Sequence, residues 1–242
     1  MRYAVVSDVH SNIEALDVVF AALRDDDALL CLGDTVGYGP NPNECVERIR
    51  ARAAATVLGN HDVAAIDNFG LAYFNPAARE AMKWTQRVLT AQNVAWLDSL
   101  GYEFRMRDYL LVHGAPGPNY FEYILNKDGA ARAFAATDAP LIFIGHTHIA
   151  EVYALHPDGT IRHEHLQHGG EIALLDGVRY LINVGSVGQP RDLNPRASFG
   201  FYDSDARTVT VHRVEYAIAR VQEKIASAQL PDALARRLLV GR

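Results

Sequence analysis

The stretch AAATVLGNHD, residues 53 to 62, joins a short apolar run to four residues that a packed core does not need. The apolar run predicts a buried strand, and Gly59 permits a sharp turn where that strand ends. Asn60, His61 and Asp62 then follow one another directly after the turn. Three consecutive polar side chains at the end of a buried strand indicate a functional site.

The same pattern recurs at the ends of four other predicted strands. RYAVVS leads into Asp-Val-His, DALLCLG into Asp, DYLLV into His-Gly, and LIFIG into His-Thr-His. The polar residues at these ends are Asp8, His10, Asp34, His113, His146 and His148. Because ligand sites of open α/β sheets lie beyond the carboxyl ends of their strands, we expect these side chains to converge at one edge. The two-residue spacing within DVH and HTH places both members of each pair on the same side of an extended backbone.

Strands and helices alternate in the first half of the chain, whereas the second half has the pattern of hairpins. The segments AEVYALHPDGTIRHEHL, EIALLDGVRYLINVGS and ASFGFYDSDARTVTVHRV each contain two alternating runs around a turn, and each predicts a hairpin. A charged helical segment follows from about residue 216 to 242. Together these patterns predict an α/β fold in which two sheets pack face to face with helices outside. We expect one domain over residues 1–242.

The composition limits the classes of function. The chain has 242 residues, 49% of them hydrophobic and 21% charged, with a net charge of −6, so a long nucleic acid is a poor partner. No apolar run approaches the length of a membrane span, and the N-terminus lacks the apolar region of a signal peptide. Two lone cysteines, Cys31 and Cys45, predict no disulfide framework and favour a reducing cytoplasm. The oligomeric state does not follow from the sequence.

The polar residues at the strand ends form a set of metal donors. Two aspartates, one asparagine and four histidines give seven oxygen and nitrogen ligands without a thiolate, which is too many for one tetrahedral zinc. The set suits two divalent metals that share one carboxylate, and its donors favour Mn, Fe, Zn, Ni or Co. Taken singly, Asp34 could be a turn residue, Asp8 a helix cap and His113 a structural histidine; the ordered set argues for metal.

The motifs D-V-H, G-D, G-N-H-D, H-G and G-H-T-H, in this order, resemble those of the calcineurin-like metallophosphoesterases. The resemblance runs from Asp8 to His148, and LINVGSVGQPR is similar to the smaller bacterial members, which include phosphodiesterases. It implies a two-sheet β-sandwich flanked by helices, a four-layer α-β-β-α fold. It also implies hydrolysis of a phosphoester by attack of a hydroxide that bridges two metals.

Individual roles follow from the resemblance, motif by motif. It assigns one metal to Asp8, His10 and His148, the other to Asn60, His113 and His146, and the bridging position to Asp34. His61 then faces the substrate and donates to the phosphate or to the leaving oxygen. Asp62 could orient His61, as a carboxylate does for many catalytic histidines, or it could cap the following turn.

The stretch GSVGQPR predicts a phosphate contact. Ser186 offers a hydroxyl and Arg191 a fork of donors, so we expect both to bind substrate. The alternative is that Arg191 pairs with a local carboxylate such as Asp192 or Asp203. A further group in RHEHLQH, His163, His165 and His168, could hold another metal, but a solvated hairpin is the favoured interpretation.

The substrate class is narrowed by one departure from the family pattern. Protein phosphatases and symmetrical dinucleoside tetraphosphatases of the family carry an Asp-Arg pair where this chain has GDTVGYG. We therefore expect a phosphodiester, or broad phosphoester, substrate of small or nucleotide-like size. The alternatives are a dinucleoside polyphosphate hydrolase or protein phosphatase-like enzyme, a nuclease, and a non-catalytic metal-binding scaffold like the retromer subunit of this fold. The presence of His61 and all seven donors argues against the scaffold.

Overall fold

Two six-stranded sheets lie face to face in the computed structural model, which describes all 242 residues. The strands are β1 (Arg2–Val6), β2 (Ala28–Cys31), β3 (Ala53–Thr56), β4 (Glu103–Arg105), β5 (Leu110–Val112), β6 (Leu141–Ile144), β7 (Ala150–Leu155), β8 (Ile161–His165), β9 (Gly170–Ala173), β10 (Arg179–Val184), β11 (Ala197–Asp203) and β12 (Thr208–Val214). The first sheet has the order β3-β2-β1-β11-β12-β9, and the second has the order β4-β5-β6-β10-β7-β8. The predicted two-sheet α/β sandwich is confirmed.

Eight helices cover the sheets. They are α1 (Ile13–Ala21), α2 (Pro42–Arg52), α3 (Asn60–Asp67), α4 (Pro76–Val88), α5 (Ala91–Asp98), α6 (Lys127–Ala136), α7 (Ile218–Ser227) and α8 (Asp232–Leu238). The cap of α1 is Asn12, whose side-chain oxygen accepts the N–H of Ala15 at 3.1 Å. No helix is both long and apolar enough to cross a membrane.

The four layers follow from side-chain alternation along each strand. Val5 of β1 and Ile182 of β10 belong to the buried cluster between the two sheets. Val6, the next residue of β1, packs instead with Leu16 of α1 on the outer face. The second sheet repeats the arrangement, with Leu181 of β10 packed against α6. Strands buried on both faces therefore hold the centre of each sheet, and helices cover the outside.

Parallel pairing directs the functional loops to one edge. Strand β1 pairs in parallel with β2, and β2 with β3; in the second sheet β6 pairs in parallel with both β5 and β10. The loops after these strands meet across the sandwich, since the N–H of His146 after β6 donates to Asp8 Oδ2 after β1 at 3.1 Å. The expected convergence of the strand ends is thus a property of the fold.

One predicted hairpin is wrong. EIALLDGVRYLINVGS forms two strands, but β9 pairs with β12 in the first sheet, and β10 pairs with β6 and β7 in the second. The turn at Asp176 and Gly177 carries the chain from one sheet to the other. The physical reason is burial: β10 is buried along almost its whole length and takes a central position, whereas β9 is mostly exposed at an edge. The other two predicted hairpins are present as β7–β8 and β11–β12.

The predicted helical segment near the C-terminus is present as α7 and α8. Their apolar residues Val221, Ile225 and Leu234 pack with Tyr38, which belongs to the loop after β2. The C-terminal helices therefore support a loop beside the functional edge of the sheets. The single domain over residues 1–242 stays a prediction.

A buried ion pair fixes the segment between β10 and β11. Arg213 of β12 bonds to both carboxylate oxygens of Asp192, and the two side chains are 4% and 5% exposed. The N–H of Ala150 also donates to Asp192 Oδ2 at 3.3 Å, which links this segment to β7. The pair joins elements of both sheets.

We expect Asp192→Ala to lower the free energy of unfolding by about 3–5 kcal/mol, because it leaves the Arg213 charge buried without a partner. Chemical denaturation of the two purified proteins measures the change. Asp176→Ala is the matched control, since its partner Arg207 and the carboxylate are largely exposed, and it should leave the stability almost unchanged. Equal losses in both variants would contradict the importance of the buried pair.

Candidate metal centre

Six polar side chains from four loops meet at the shared edge of the two sheets, and the seventh predicted donor, Asn60, is the first residue of α3. Asp8, His10, Asp34 and His148 form one cluster, whose donor atoms all lie within 4.8 Å of one another, and Asp34, His113 and His146 form a second. The distances from Asp34 Oδ2 are 3.5 Å to His10 Nε2 and 3.3 Å to His113 Nε2. Asp34 thus belongs to both clusters, and the side chains of all six residues are buried.

The backbone at this edge is strained. Five of the donor residues have φ between 47° and 66°, in the left-handed region that residues other than glycine rarely adopt. They are Asp8, His10, Asp34, His146 and His148. This conformation costs most residues about 1–2 kcal/mol relative to ordinary backbone, and it costs Asp and His less. Strain concentrated in this way is typical of functional sites, where the surrounding fold enforces the geometry.

The tautomers of three histidines are set by backbone carbonyls. Nδ1 lies 3.0 Å from Val36 O in His10, 2.8 Å from Leu32 O in His113, and 2.6 Å from the oxygen of Gln189 in His148. A carbonyl can only accept a hydrogen bond, so each Nδ1 carries the proton and donates it. The lone pair of each ring is then on Nε2, which faces the centre, as metal-binding histidines require.

Several donor atoms at the centre are left without a partner. Asp8 Oδ1, Asn60 Oδ1, His113 Nε2 and His146 Nε2 are buried and make no hydrogen bond. The Nε2 atoms of His10 and His148 lie only 3.1 Å apart, so two lone pairs face each other. An unpaired buried polar atom costs about 1–3 kcal/mol. Divalent cations would satisfy these atoms, and the donor set therefore fits the metals that oxygen and imidazole ligands favour.

The protonation of the ring nitrogens is consistent with this role for three of the four histidines. Burial holds the pKa values of His10, His146 and His148 well below the usual range, so these rings are neutral at pH 7. Burial also acts on His113, but the charge of Asp34 outweighs it and raises the pKa of His113 to about 9. For Asp34 itself burial acts to raise the pKa, but the neighbouring imidazoles, above all His113, hold it well below its usual range.

A comparison of this sequence with models of known families identifies the family of the chain. A model of the calcineurin-like phosphoesterase superfamily domain matches residues 1–207. The chain belongs to this superfamily. The family and its solved structures indicate a hydrolase of phosphoesters, and its members typically bind divalent metals.

Similar proteins extend over the whole chain. An uncharacterized protein of Methanocaldococcus jannaschii, MJ0912, is 40% identical over 246 aligned residues, which cover 99% of this chain and 98% of that protein. The crystal structure of a metallophosphoesterase from Sphaerobacter thermophilus is 42% identical, has a TM-score of 0.89 and covers 100% of both chains. The hypothetical protein PH1004 from Pyrococcus horikoshii OT3 has a TM-score of 0.76 over 100% of this chain and 98% of that one; at 16% identity, this likeness shows the fold alone.

Within this phosphoesterase fold, the motif GNHD begins helix α3. Gly59 is required because a side chain there would meet Asp34 Oδ1 at 2.1 Å. The N–H of His61, in the first turn of α3, donates to the same Asp34 oxygen at 2.8 Å. The start of a helix carries partial positive charge, so this contact stabilises the buried carboxylate.

His61 lies at the metal centre between aromatic rings. Its ring is 4.5 Å from Tyr38, 4.4 Å from Phe74 and 4.8 Å from His10 between centroids. Its Nδ1 is buried without a partner against Gly37, where an added Cβ would lie 2.3 Å from that nitrogen. Burial lowers the pKa of His61 to about 4, so the ring is neutral at pH 7.

Asp62 does not orient His61. Its Oδ1 accepts the N–H of Val36 and its Oδ2 accepts the N–H of Gly59, each at 3.1 Å. Consecutive residues of a helix project in different directions, so the carboxylate faces the start of α3 rather than its neighbour. The predicted catalytic role of Asp62 is wrong, and the capping alternative describes its contacts.

Ser186 does not face a substrate. The side chain is fully buried; its hydroxyl donates to Asp8 O and accepts the N–H of Gln189, both at 2.8 Å. Both bonds hold the loop after β10 against the loop after β1. The prediction that Ser186 binds phosphate is therefore wrong, because the side chain is buried and its one O–H donor is used within the protein.

Arg191 reaches the centre without a carboxylate partner. Its Nη2 donates to the Tyr38 hydroxyl at 3.2 Å and to Gln189 Oε1 at 3.1 Å, and its Nε is buried without a partner. The predicted alternative, a pair with Asp192 or Asp203, is wrong: Asp192 bonds to Arg213, and Asp203 accepts the N–H groups of its own turn. Arg191 therefore retains free donors at the edge of the site.

Aromatic side chains surround the centre, and the sequence motifs identify only some of them. Tyr123 stacks on His146 with 3.7 Å between centroids, in the aromatic segment after His113. Phe74, which covers His61, carries no recognisable signal, because it comes from the connection between α3 and α4, where no motif residue lies.

A second polar cluster lies on the outer face of the second sheet. The carboxylate of Glu151 on β7 is 2.7 Å from His163 Nε2 and 3.6 Å from His165 Nδ1, both on the neighbouring strand β8. Glu151 is buried, His165 is exposed, and His168 is not part of the cluster. The sequence did not indicate Glu151, since its proximity depends on strand pairing. Burial raises the pKa of Glu151 to about 7.

This pKa predicts a pH-dependent stability. The folded protein holds the Glu151 proton up to about pH 7, whereas the unfolded chain loses it near pH 4.5, so stability falls as pH rises through this window. Gln cannot ionise, so the free energy of unfolding of Glu151→Gln should rise relative to that of the natural protein as the pH increases. The relative rise should reach up to about 3 kcal/mol between pH 5 and pH 8. Denaturant unfolding at both pH values measures the gain. Glu164→Gln, an exposed carboxylate on β8, should show no such trend; a pH-independent difference for Glu151→Gln would contradict the assignment.

Proposed function

We propose that the protein is a dinuclear metal-dependent phosphoesterase that hydrolyses phosphodiesters, or a broad range of phosphoesters, of small or nucleotide-like size. The observation that carries the proposal is the position of Asp34, whose Oδ2 lies within 3.5 Å of both His10 Nε2 and His113 Nε2. One carboxylate shared by two donor clusters is the arrangement that holds two cations near each other.

The ligand assignment follows the two clusters. We assign one divalent ion to Asp8, His10 and His148, the other to Asn60, His113 and His146, and the shared position to Asp34. Mn, Fe, Zn, Ni and Co all suit these donors. When bound, the two ions supply Lewis acidity that activates water and neutralises charge on the phosphoryl oxygens.

The chain's own residues orient the substrate. Arg191 offers guanidinium N–H groups to a phosphoryl oxygen, and the Tyr38 hydroxyl and Gln189 hold it in position. His61 lies beside the ligand His10 with aromatic rings on either side, which keep bulk water from the ring. As a neutral imidazole it donates one N–H; an anionic phosphoester beside it favours the protonated ring, which can transfer a proton to the leaving oxygen.

The buried donors favour metal binding, and His61 beside them favours an enzyme over a metal-binding scaffold of the same fold. Four unpartnered atoms and strained backbone at five ligand positions are costly, and metal binding offsets that cost. A protein that worked only by binding partners would gain nothing from retaining His61 beside this set. Elemental analysis combined with activity on an aryl phosphodiester separates the two, since a scaffold would bind metal without turnover.

Asp34→Asn should lower the metal content from two ions per chain, because an amide removes the charge that both ions share. Inductively coupled plasma mass spectrometry of metal-reconstituted protein measures the stoichiometry. Asp27→Asn, a buried carboxylate paired with Arg2, is the control and should retain both ions. Near-full occupancy in Asp34→Asn would contradict the bridging role.

Arg191→Ala should lower kcat/KM by the equivalent of about 1.5–3 kcal/mol, the range for a charge-assisted hydrogen bond to phosphate. Steady-state kinetics on an aryl phosphodiester measures the loss. The matched control is Arg196→Ala, which removes an exposed pair with Glu215 in the same segment and should change kcat/KM little. If both variants keep the natural rate, Arg191 makes no contact with substrate.

His61→Ala should keep its metals and lose about 10²–10⁴-fold in rate on an alkyl or nucleoside ester. An alkoxide needs a proton to leave, whereas a nitrophenolate does not, so the loss on a nitrophenyl ester should be much smaller. The comparison requires rates on both esters, with His168→Ala as the exposed-histidine control. Equal losses on the two esters would assign His61 to the phosphoryl oxygens instead, and full activity on both would remove it from the reaction.

A further inference from the structure

An open cleft lined by aromatic side chains lies beside the metal centre. Its volume is about 560 Å³, and its walls include Phe69, Tyr102, Tyr120 and Phe121. This volume lies within the range of about 300–1,000 Å³ that is typical of small-ligand sites. We call it the aromatic cleft.

The aromatic cleft and the metal centre share a wall. The ring of Phe121 lines the cleft and also lies 6.2 Å from His113 and 6.5 Å from His146 between centroids. Phe69, which also lines the cleft, follows α3, the helix whose first turn contains His61. A group bound in the cleft is therefore close enough to be covalently connected to a phosphate at the centre.

The walls present flat apolar faces to solvent. Tyr102 stacks on Tyr120 with 5.0 Å between centroids and 13° between planes, yet it is 39% exposed. Phe69 is 62% exposed and contacts no other aromatic ring. Exposed aromatic faces that line one cleft are suited to a planar ring, which gains stacking and removes apolar surface from water.

The polar atoms of the cleft suit the edge of a heterocycle. The side chain of Asn119 makes no hydrogen bond within the protein, so its amide offers both donors and an acceptor. Glu122 also lines the cleft, but Arg132 bonds to its carboxylate at 2.6 Å and 3.2 Å. Because Arg132 neutralises the charge of this carboxylate, the pair does not repel an anionic ester. The carboxylate can still accept a hydrogen bond.

We infer that the aromatic cleft binds a nucleobase-like heterocycle of the same substrate whose phosphate reacts at the metal centre. The inference rests on the proposed function, because the heterocycle and the phosphate belong to one molecule. Phe69 and Tyr102 stack on the ring, and Asn119 contacts its edge. The cleft thus selects nucleotide-type esters over aliphatic ones, while the reaction itself requires only the phosphate.

The test compares two ligands that share a ribose 5-phosphate, one with a base at C1′ and the other with a hydroxyl there. Isothermal titration calorimetry of the manganese-loaded protein should give adenosine 5′-monophosphate an affinity about 5- to 100-fold higher than ribose 5-phosphate, the value of one stacked base. Phe69→Ala and Tyr102→Ala, two lining residues distant in sequence, should each reduce this ratio. Tyr73→Ala is the control; it lies near Phe69 and is 94% exposed, but it does not line the cleft, so it should keep the ratio.

Equal affinities of the two ligands for the natural protein would overturn the inference. So would a ratio that both wall variants leave unchanged while remaining folded by circular dichroism. A drop in molecular mass of the wall variants in light scattering would show that a second copy covers the cleft, which also overturns it. Calorimetry needs no turnover: preference for the base without hydrolysis of any phosphoester contradicts the proposed function, whereas hydrolysis without preference contradicts only the role of the cleft.

Discussion

The burial of one ionised carboxylate, Asp34, is the constraint that organises the molecule. Its two oxygens face His10 and His113 on one side and the N–H of His61 on the other. These partners come from loops after β1 and β5 and from the start of α3, so a single side chain connects both sheets and a helix. A buried charge of this kind is tolerated only when its surroundings compensate it. The imidazoles, the helix start and the metals that the donors fit all serve this purpose.

The surrounding loops are held by contacts that do not take part in chemistry. Ser186 connects the loop after β10 to Asp8, and Asp62 joins the start of α3 to the loop after β2. Carbonyl groups fix three imidazole rings through Nδ1. A centre made of loops that are far apart in sequence thereby becomes rigid, which is what a preorganised site needs. The C-terminal helices add to this by packing on Tyr38.

The sequence predicts the sandwich and the donor set because both depend on local patterns. Apolar runs that end in Asp or His locate strands and ligands together, and the order of motifs identifies the family. The errors concern contacts between distant segments. Whether Ser186 faces a ligand depends on Asp8, which is 178 residues away, and Asp62 accepts from Val36 across 26 residues. Strands β9 and β10 flank a good turn, yet the burial of β10 in the second sheet overrides it. Glu151 joins His163 and His165 only through strand pairing, and no local pattern contains that information.

The left-handed backbone at five of the donor positions has a consequence for the divergence of related proteins. Asn, Asp and His tolerate this conformation several times better than most other residues. The amino acids that bind metal here are therefore also the ones, after glycine, that the backbone accepts most easily. A lineage that lost its metals would still lose stability if it replaced these residues with alanine or a β-branched residue. Residues of the metal-binding types can thus persist after catalysis has been lost. Their presence in a distant homologue indicates the backbone conformation of the loop as well as its chemistry.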